Sequence, residues 1–254
     1  MDLGPWTFAP VGGASMFEPR LRKTLEPWLP RFFLRWVNPY HAALNDRLEE
    51  AAARIPAGAR VLDAGAGECP HRPLFAHTHY VTLDLGIGDA AWDYSRIGVL
   101  GDIHSMPFRD GAFDAVINIS VLEHLREPGQ AMAEFARVLK PGGQLILSTV
   151  QCWEMHQKPH DYFRFTRYGL EYLFQKAGLC PRQVEALGGY FWLLAFRLMN
   201  VLSFFQRGWR WAVFVLLAPL FGGLLPIALY FLDPLDRTRD YTLGYFCRCE
   251  KRGD

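Results

Sequence analysis

The chain carries almost no net charge: 27 basic residues against 26 acidic ones leave +1 over 254 residues. Such a chain has no overall field to concentrate nucleic acid, and no basic run is long enough to track phosphates, so a nucleic-acid partner is not expected. Cysteine is sparse and unpatterned. Cys69, Cys152, Cys180, Cys247 and Cys249 are odd in number and include no Cys-x-x-Cys pair, which argues against a disulfide framework or a thiolate zinc site and for a reducing compartment. Residues 1–17 lack a charged stretch followed by an apolar core, so no secretory signal is expected there. What the chain does have is apolar residue, 50% of the total, ample for the core of one α/β domain with additions.

Within that background, Val61-Leu-Asp-Ala-Gly-Ala-Gly67 reads as a buried strand that runs straight into a glycine turn. Gly65 and Gly67 permit positive φ and a close approach of backbone to ligand. A dinucleotide fingerprint would need a third glycine three residues on, and Pro70 stands there. Asp63, at the strand end, would repel a pyrophosphate and suit a ligand bearing an ammonium group. S-adenosylmethionine has one. Tyr80-Val-Thr-Leu-Asp84 resembles the end of a second strand, with a carboxylate able to accept both hydroxyls of a ribose. Gly101-Asp102-Ile103 offers another acid at a third strand end.

Taken together, VLDAGAG, LDL, GDIHSMPFRDGAFDAVINISVLEHL and RVLKPGGQLILST resemble the motif series of class I S-adenosylmethionine-dependent methyltransferases. The likeness is to the branch that includes the ubiquinone and menaquinone C-methyltransferases, and it covers Leu48 to Leu187. It implies an α/β fold, a doubly wound and mostly parallel sheet of seven strands, Rossmann-like. It also implies that Asp63, Gly65 and Gly67 line the methionine end of the cofactor. Asp84, with Leu85 beside it, would hold the ribose, and Asp102 with Ile103 would receive the adenine. Asn118, Ile119 and Ser120 would lie near the transferred methyl group. An aromatic residue near the adenine is expected from the Trp92 to Tyr94 loop.

The chain divides into an N-terminal arm with a basic-aromatic helix (1–45), the methyltransferase core (46–189), an apolar helical insertion (190–236) and the last strand (237–254). The basic-aromatic stretch, Leu21 to Val37, suits either a lid over the cofactor cleft or a helix lying on a membrane surface. Cys69 to His79 is short and bears proline where the family has a longer helix. His77 and His79 read as surface residues. Glu123 and His124 resemble an acid/base pair at the start of a helix, although such a pair is structural in this branch. Gln151 to Arg167 is polar and aromatic and should cover the active site. If that loop is locally helical, His156 and His160 stack one turn apart, and Asp161 orients an imidazole as general base, His160 ahead of His156. The same residues also fit a loop held by Asp161 to Arg164 or Arg167 with its histidines in solvent. No metal is expected.

Tyr190 to Phe205 is apolar apart from Arg197 and Asn200, and Trp211 to Leu232 contains no charge. The second stretch would be about 33 Å long as a helix, enough for a hydrocarbon core of about 30 Å, though Pro219, Gly222, Gly223 and Pro226 interrupt it. Because Tyr241 to Glu250 reads as a strand of the same sheet, the chain must return to the side it left, and Arg207 and Arg210 fall between the two stretches. Shallow, monotopic insertion on the cytoplasmic face of a membrane is therefore expected. The resulting expectation is methyl transfer from S-adenosylmethionine to a lipid, an isoprenoid quinone or a lipid-linked glycan. A soluble small-molecule methyltransferase with a hydrophobic lid, or a cofactor-binding scaffold without turnover, are the alternatives.

Overall fold

A computed structural model describes residues 35–36, 38–88 and 92–253. The N-terminal arm and nearly all of the basic-aromatic stretch expected from Leu21 to Val37 lie outside them. Among the described residues, seven strands form one sheet in the order β3-β2-β1-β4-β5-β7-β6. These are β1 (Arg60–Ala64), β2 (His79–Asp84), β3 (Val99–Leu100), β4 (Phe113–Ile119), β5 (Leu139–Val150), β6 (Leu179–Leu187) and β7 (Gly244–Lys251). β1 to β5 pair in parallel. β7 inserts antiparallel to both β5 and β6. This is the doubly wound sheet expected, and the last strand does return beside β6.

The period-two alternation of the strands sorts their side chains between opposite faces of the sheet. Leu62, Val116, Leu145, Leu147, Tyr245 and Cys247 pack with Met132, Phe135 and Phe174, which come from α2 (Pro128–Val138) and α3 (Arg167–Lys176). Val61, Ala115, Ile117, Ile146 and Phe246 pack on the other face with Leu44 and Leu48 of α1 (Pro39–Ala53). Cys247 and Cys249 share a face and all five cysteines are free. Thr166 caps α3 by accepting from the Gly169 amide at 3.2 Å.

The stretch Lys140 to Gly143 comes just after α2. It lies within β5, which begins at Leu139 and shifts register against β4 between Phe113 and Ala115, a bulge that absorbs the extra residues. Between β1 and β2 there is a single 3₁₀ turn, Arg72–Phe75, with proline in it. Glu123 and His124 belong to another 3₁₀ turn, Leu122–His124, and α2 starts only at Pro128.

The insertion is a helical hairpin. α4 (Tyr190–Val201) runs out along the domain, with Trp192, Leu193 and Phe196 packed on the core. α5 (Trp211–Pro219), a π-helical segment (Leu220–Leu224) and α6 (Leu225–Leu232) come back beside it. The return helix is unbroken. Pro226 sits in the first turn of α6, and the π segment takes up the missing hydrogen bonds after Pro219. At the base, buried Asp233 accepts from the Gly189 and Trp192 amides at 3.2 and 3.0 Å and pairs with Arg239. Asp236 accepts from the Tyr190 amide at 2.8 Å. Acids from the end of the hairpin thus cap the helix that begins it.

Candidate active site

The ends of β1 to β4 open on a cavity of about 440 Å³, the position where a doubly wound sheet binds its ligand. Gly65 and Gly67 form its floor with φ of +89° and +51°. A Cβ on Gly65 would stand 2.6 Å from Val121 Cγ2, and one on Gly67 would stand 3.2 Å from the Trp92 ring. Only glycine fits both the backbone and the space. The Gly65 amide donates to the Leu83 carbonyl at 2.8 Å, which ties the turn to β2.

Asp84 completes that tie. Its Oδ2 accepts from the Gly67 amide at 2.9 Å and its Oδ1 from the Gly86 amide at 2.7 Å. Each oxygen keeps a lone pair for a ribose hydroxyl, and Asp84 and Leu85 both line the cavity. Asp102 and Ile103 line it too. Asp102 is held by the His104 amide and ring at 2.9 and 2.7 Å. Although partial burial opposes them, those bonds keep its carboxyl below the usual range. Of the aromatic residues in the Trp92 to Tyr94 loop, Trp92 lines the cavity, packed against Gly67 and Gly88. The nearest signal was its place in an otherwise polar loop.

Two expected ligand contacts sit elsewhere. Asp63 is 1% exposed and does not line the cavity. It lies beneath the turn, accepting from the Tyr80 hydroxyl, and burial pushes its carboxyl up to about 7 against that hydrogen bond. Asn118 is fully buried and donates to the Ala64 carbonyl at 2.7 Å, pinning β4 to β1. Its neighbours Ile119 and Ser120 face the cavity, with Ser120 at a φ of +55°. The strand turns sharply there.

The loop after β5 covers the site as expected, but it is not helical. His156 and His160 therefore do not stack. His160 lines the cavity beside Tyr162, whose hydroxyl is 3.1 Å from its Nδ1. His156 is buried away from the cavity. Asp161 does not orient His160; it makes a bidentate pair with Arg164, both contacts at 2.7 Å, and accepts from the His156 amide at 2.8 Å. Although burial opposes them, those bonds hold the Asp161 carboxyl below its usual range. His124, read from sequence as structural, does line the cavity. Its Nδ1 is 2.6 Å from the His160 carbonyl, and burial, with His156 alongside, lowers its imidazole to about 4. Burial raises the neighbouring Glu123 carboxyl to about 7, opposed by a hydrogen bond from Thr149.

The glycine cradle, the free lone pairs of Asp84 and the acid at Asp102 fit the donor that the motif series implies. Residues 62–147 match the family described as "Methyltransferase domain". The chain is 34% identical over 112 residues to a demethylmenaquinone methyltransferase of Renibacterium salmoninarum, an alignment covering 39% of this chain and 44% of that one. It is 32% identical over 167 residues to a ubiquinone biosynthesis O-methyltransferase of Dechloromonas aromatica, covering 58% and 65%. Among solved structures it is similar to the SpnF cyclase, with a TM-score of 0.52, 20% identity and 82% of each chain covered. It is also similar to phosphoethanolamine N-methyltransferase 2 of Haemonchus contortus, with a TM-score of 0.51 and 15% identity, covering 91% of this chain and 59% of that one. Likenesses at such identity establish fold only, and one of these folds belongs to a cyclase.

By fold, the chain is similar to S-adenosylmethionine-dependent methyltransferases. Its segment 62–147 belongs to the methyltransferase domain family. The chain spans between 44% and 65% of the length of the two quinone-pathway relatives.

Proposed function

We propose that this protein methylates a membrane-associated acceptor, an isoprenoid quinone, another lipid or a lipid-linked glycan, from the cytoplasmic face. The observation that carries the reading is the attachment of the apolar hairpin to the loop that walls the cavity. Phe196 of α4 packs on Trp153, ring centroids 4.5 Å apart. Arg197 donates to the Cys152 carbonyl at 3.2 Å, and Asn200 to Glu154 at 3.3 Å. A few residues on, Gln157, His160 and Tyr162 of the same loop line the cavity.

The hairpin itself is built for an apolar surrounding. Among the described residues its second arm, Gly208–Leu235, is the helix long and apolar enough to cross a membrane, and only 22% of its most apolar window is buried. A core helix of a soluble protein would be largely covered. Val215, Leu216, Leu224 and Phe231 are each more than half exposed. At the far turn, exposed Arg207 and Arg210 flank Trp209, 82% exposed, a combination suited to headgroups. Shallow insertion leaves those arginines in the interface.

S-adenosylmethionine supplies an electrophilic methyl group on a sulfonium. Asp84 and Asp102 bind its sugar and base, and the glycine turn admits its amino-acid end. Ile119, Ser120 and Val121 form a wall that aligns donor with acceptor and excludes water, which favours the dispersal of charge in an in-line transfer. Where the acceptor is a hydroxyl, His160 takes its proton. The test is methyl transfer from labelled cofactor into a membrane lipid extract, with mass analysis of the product. Label in a lipid fraction supports the reading; label only in water-soluble acceptors points to a soluble enzyme with a hydrophobic lid, and none in either to a scaffold.

A further inference from the structure

Behind the cavity wall, three neighbouring residues each bury a polar atom with no hydrogen-bond partner: Glu123 Oε1, His124 Nε2 and His156 Nε2. All three residues offer ligand atoms within 4.8 Å of one another. His156 Nε2 and Glu123 Oε1 stand 4.0 Å apart, too far for a proton to bridge them in a hydrogen bond. We propose that they form a three-ligand site for a divalent first-row transition metal such as zinc.

The surroundings of the triad are those of a metal site. His124 Nδ1 is 2.6 Å from the His160 carbonyl and His156 Nδ1 is 3.0 Å from the Glu154 carbonyl. A carbonyl only accepts, so each Nδ1 carries a hydrogen, which leaves Nε2 as the nitrogen each ring can offer a ligand. The other oxygen of Glu123 accepts from the Thr149 hydroxyl at 2.8 Å, leaving Oε1 without a partner. Asp161 stands 3.9 Å from the Nδ1 of His124 and 3.5 Å from that of His156, itself paired with Arg164. Carbonyls and a carboxylate on the outer nitrogens are how ligating histidines are held and made more basic.

A cation placed between these three unpartnered atoms would satisfy all of them at once. Two imidazoles and one carboxylate are a donor set for zinc and its neighbours rather than for magnesium or calcium. Ligands on a tetrahedral ion with bonds of about 2.1 Å stand about 3.4 Å apart, so a contraction of roughly 1 Å closes the site. The ion would join the turn after β4 to the loop after β5. It would sit one side chain behind the cavity, since His124 faces both. Its role needs no assumption about the methyl acceptor.

The test uses the full chain, stripped with a chelator and titrated with Zn²⁺ or Co²⁺, with bound metal and melting temperature measured after dialysis. One metal per chain is expected, with a raised melting temperature and, for Co²⁺, the intense visible bands of a four-coordinate ion. His156→Gln should weaken binding by at least about 100-fold, whereas His79→Gln, at an exposed position, should not. The Co²⁺ spectrum of the unaltered protein decides the matter even where a variant folds poorly. Substoichiometric metal with no shift in melting temperature, or equal binding by His156→Gln, overturns the proposal and leaves a buried water as the occupant.

Discussion

The strand-end turns around the cavity and the apolar hairpin are opposite answers to the same question of how a segment is held. In the turns, short polar residues bond to backbone amides: Asp84 to Gly86 two residues on and to Gly67 of the neighbouring turn, Asp102 to His104. The local sequence dictates the geometry, and lone pairs remain for a ligand. In the hairpin, the Asp233, Asp236 and Arg239 clamp holds the base, while the outer face is apolar and uncovered. Nothing among the described residues answers that face. One region is specified by what it contains, the other by what must surround it.

The largest expected effect separates them. Deleting 191–232 and closing with a short glycine linker should abolish sedimentation with lipid vesicles and leave cofactor affinity, measured by calorimetry, where it was. Continued sedimentation would move the anchor to the basic-aromatic N-terminal stretch, and loss of cofactor binding would make the hairpin part of the core. Next in size is His160→Ala, at the seam between the two regions. Turnover should fall by about 100-fold with cofactor affinity unchanged, and a near-normal rate would leave alignment and exclusion of water as the whole mechanism. Smaller again is Asp84→Ala, which removes charge-assisted acceptors and the tie to the glycine turn. Its cost should be at least about 2 kcal/mol in cofactor binding, about 30-fold. Undiminished affinity in calorimetry would refute the assignment.

The legibility of the sequence follows the same division. Strand alternation and the glycine turn are short-range signals, so β1, β2, β4 and the acids that end β1 and β2 and follow β3 could be placed from residue type. Asp63 and Asn118 were read as ligand contacts because strand ends face the cleft. A strand alternates, however, and these two side chains fall under the turn and between strands. The convergence of Glu123, His124 and His156 joins the turn after β4 to the loop after β5, and no spacing rule reaches across it. The hairpin was legible as apolar, but its continuity through Pro219 and Pro226 was not, because a π segment and a proline in a helix's first turn accommodate what composition reads as breaks.

The smallest effect sharpens the comparison from inside the polar region, where Asp63 is buried with no ion pair among the described residues. Its carboxyl is raised to about 7, first by burial and further by Asp84, against the hydrogen bond from Tyr80. In the unfolded chain it ionises near its ordinary value of 3.8. Between those values the folded protein holds a proton that the unfolded chain releases. The stability this neutral group contributes is therefore complete below about pH 4 and is lost as pH rises through about 7, a span worth on the order of a few kcal/mol. An asparagine side chain in its place would keep an acceptor for the Tyr80 hydroxyl but could not ionise. Melting temperatures of Asp63→Asn should thus fall less steeply than those of the natural chain between about pH 4 and about pH 7. Parallel curves would mean that Asp63 is already ionised in the fold, and that the Tyr80 hydrogen bond outweighs its burial.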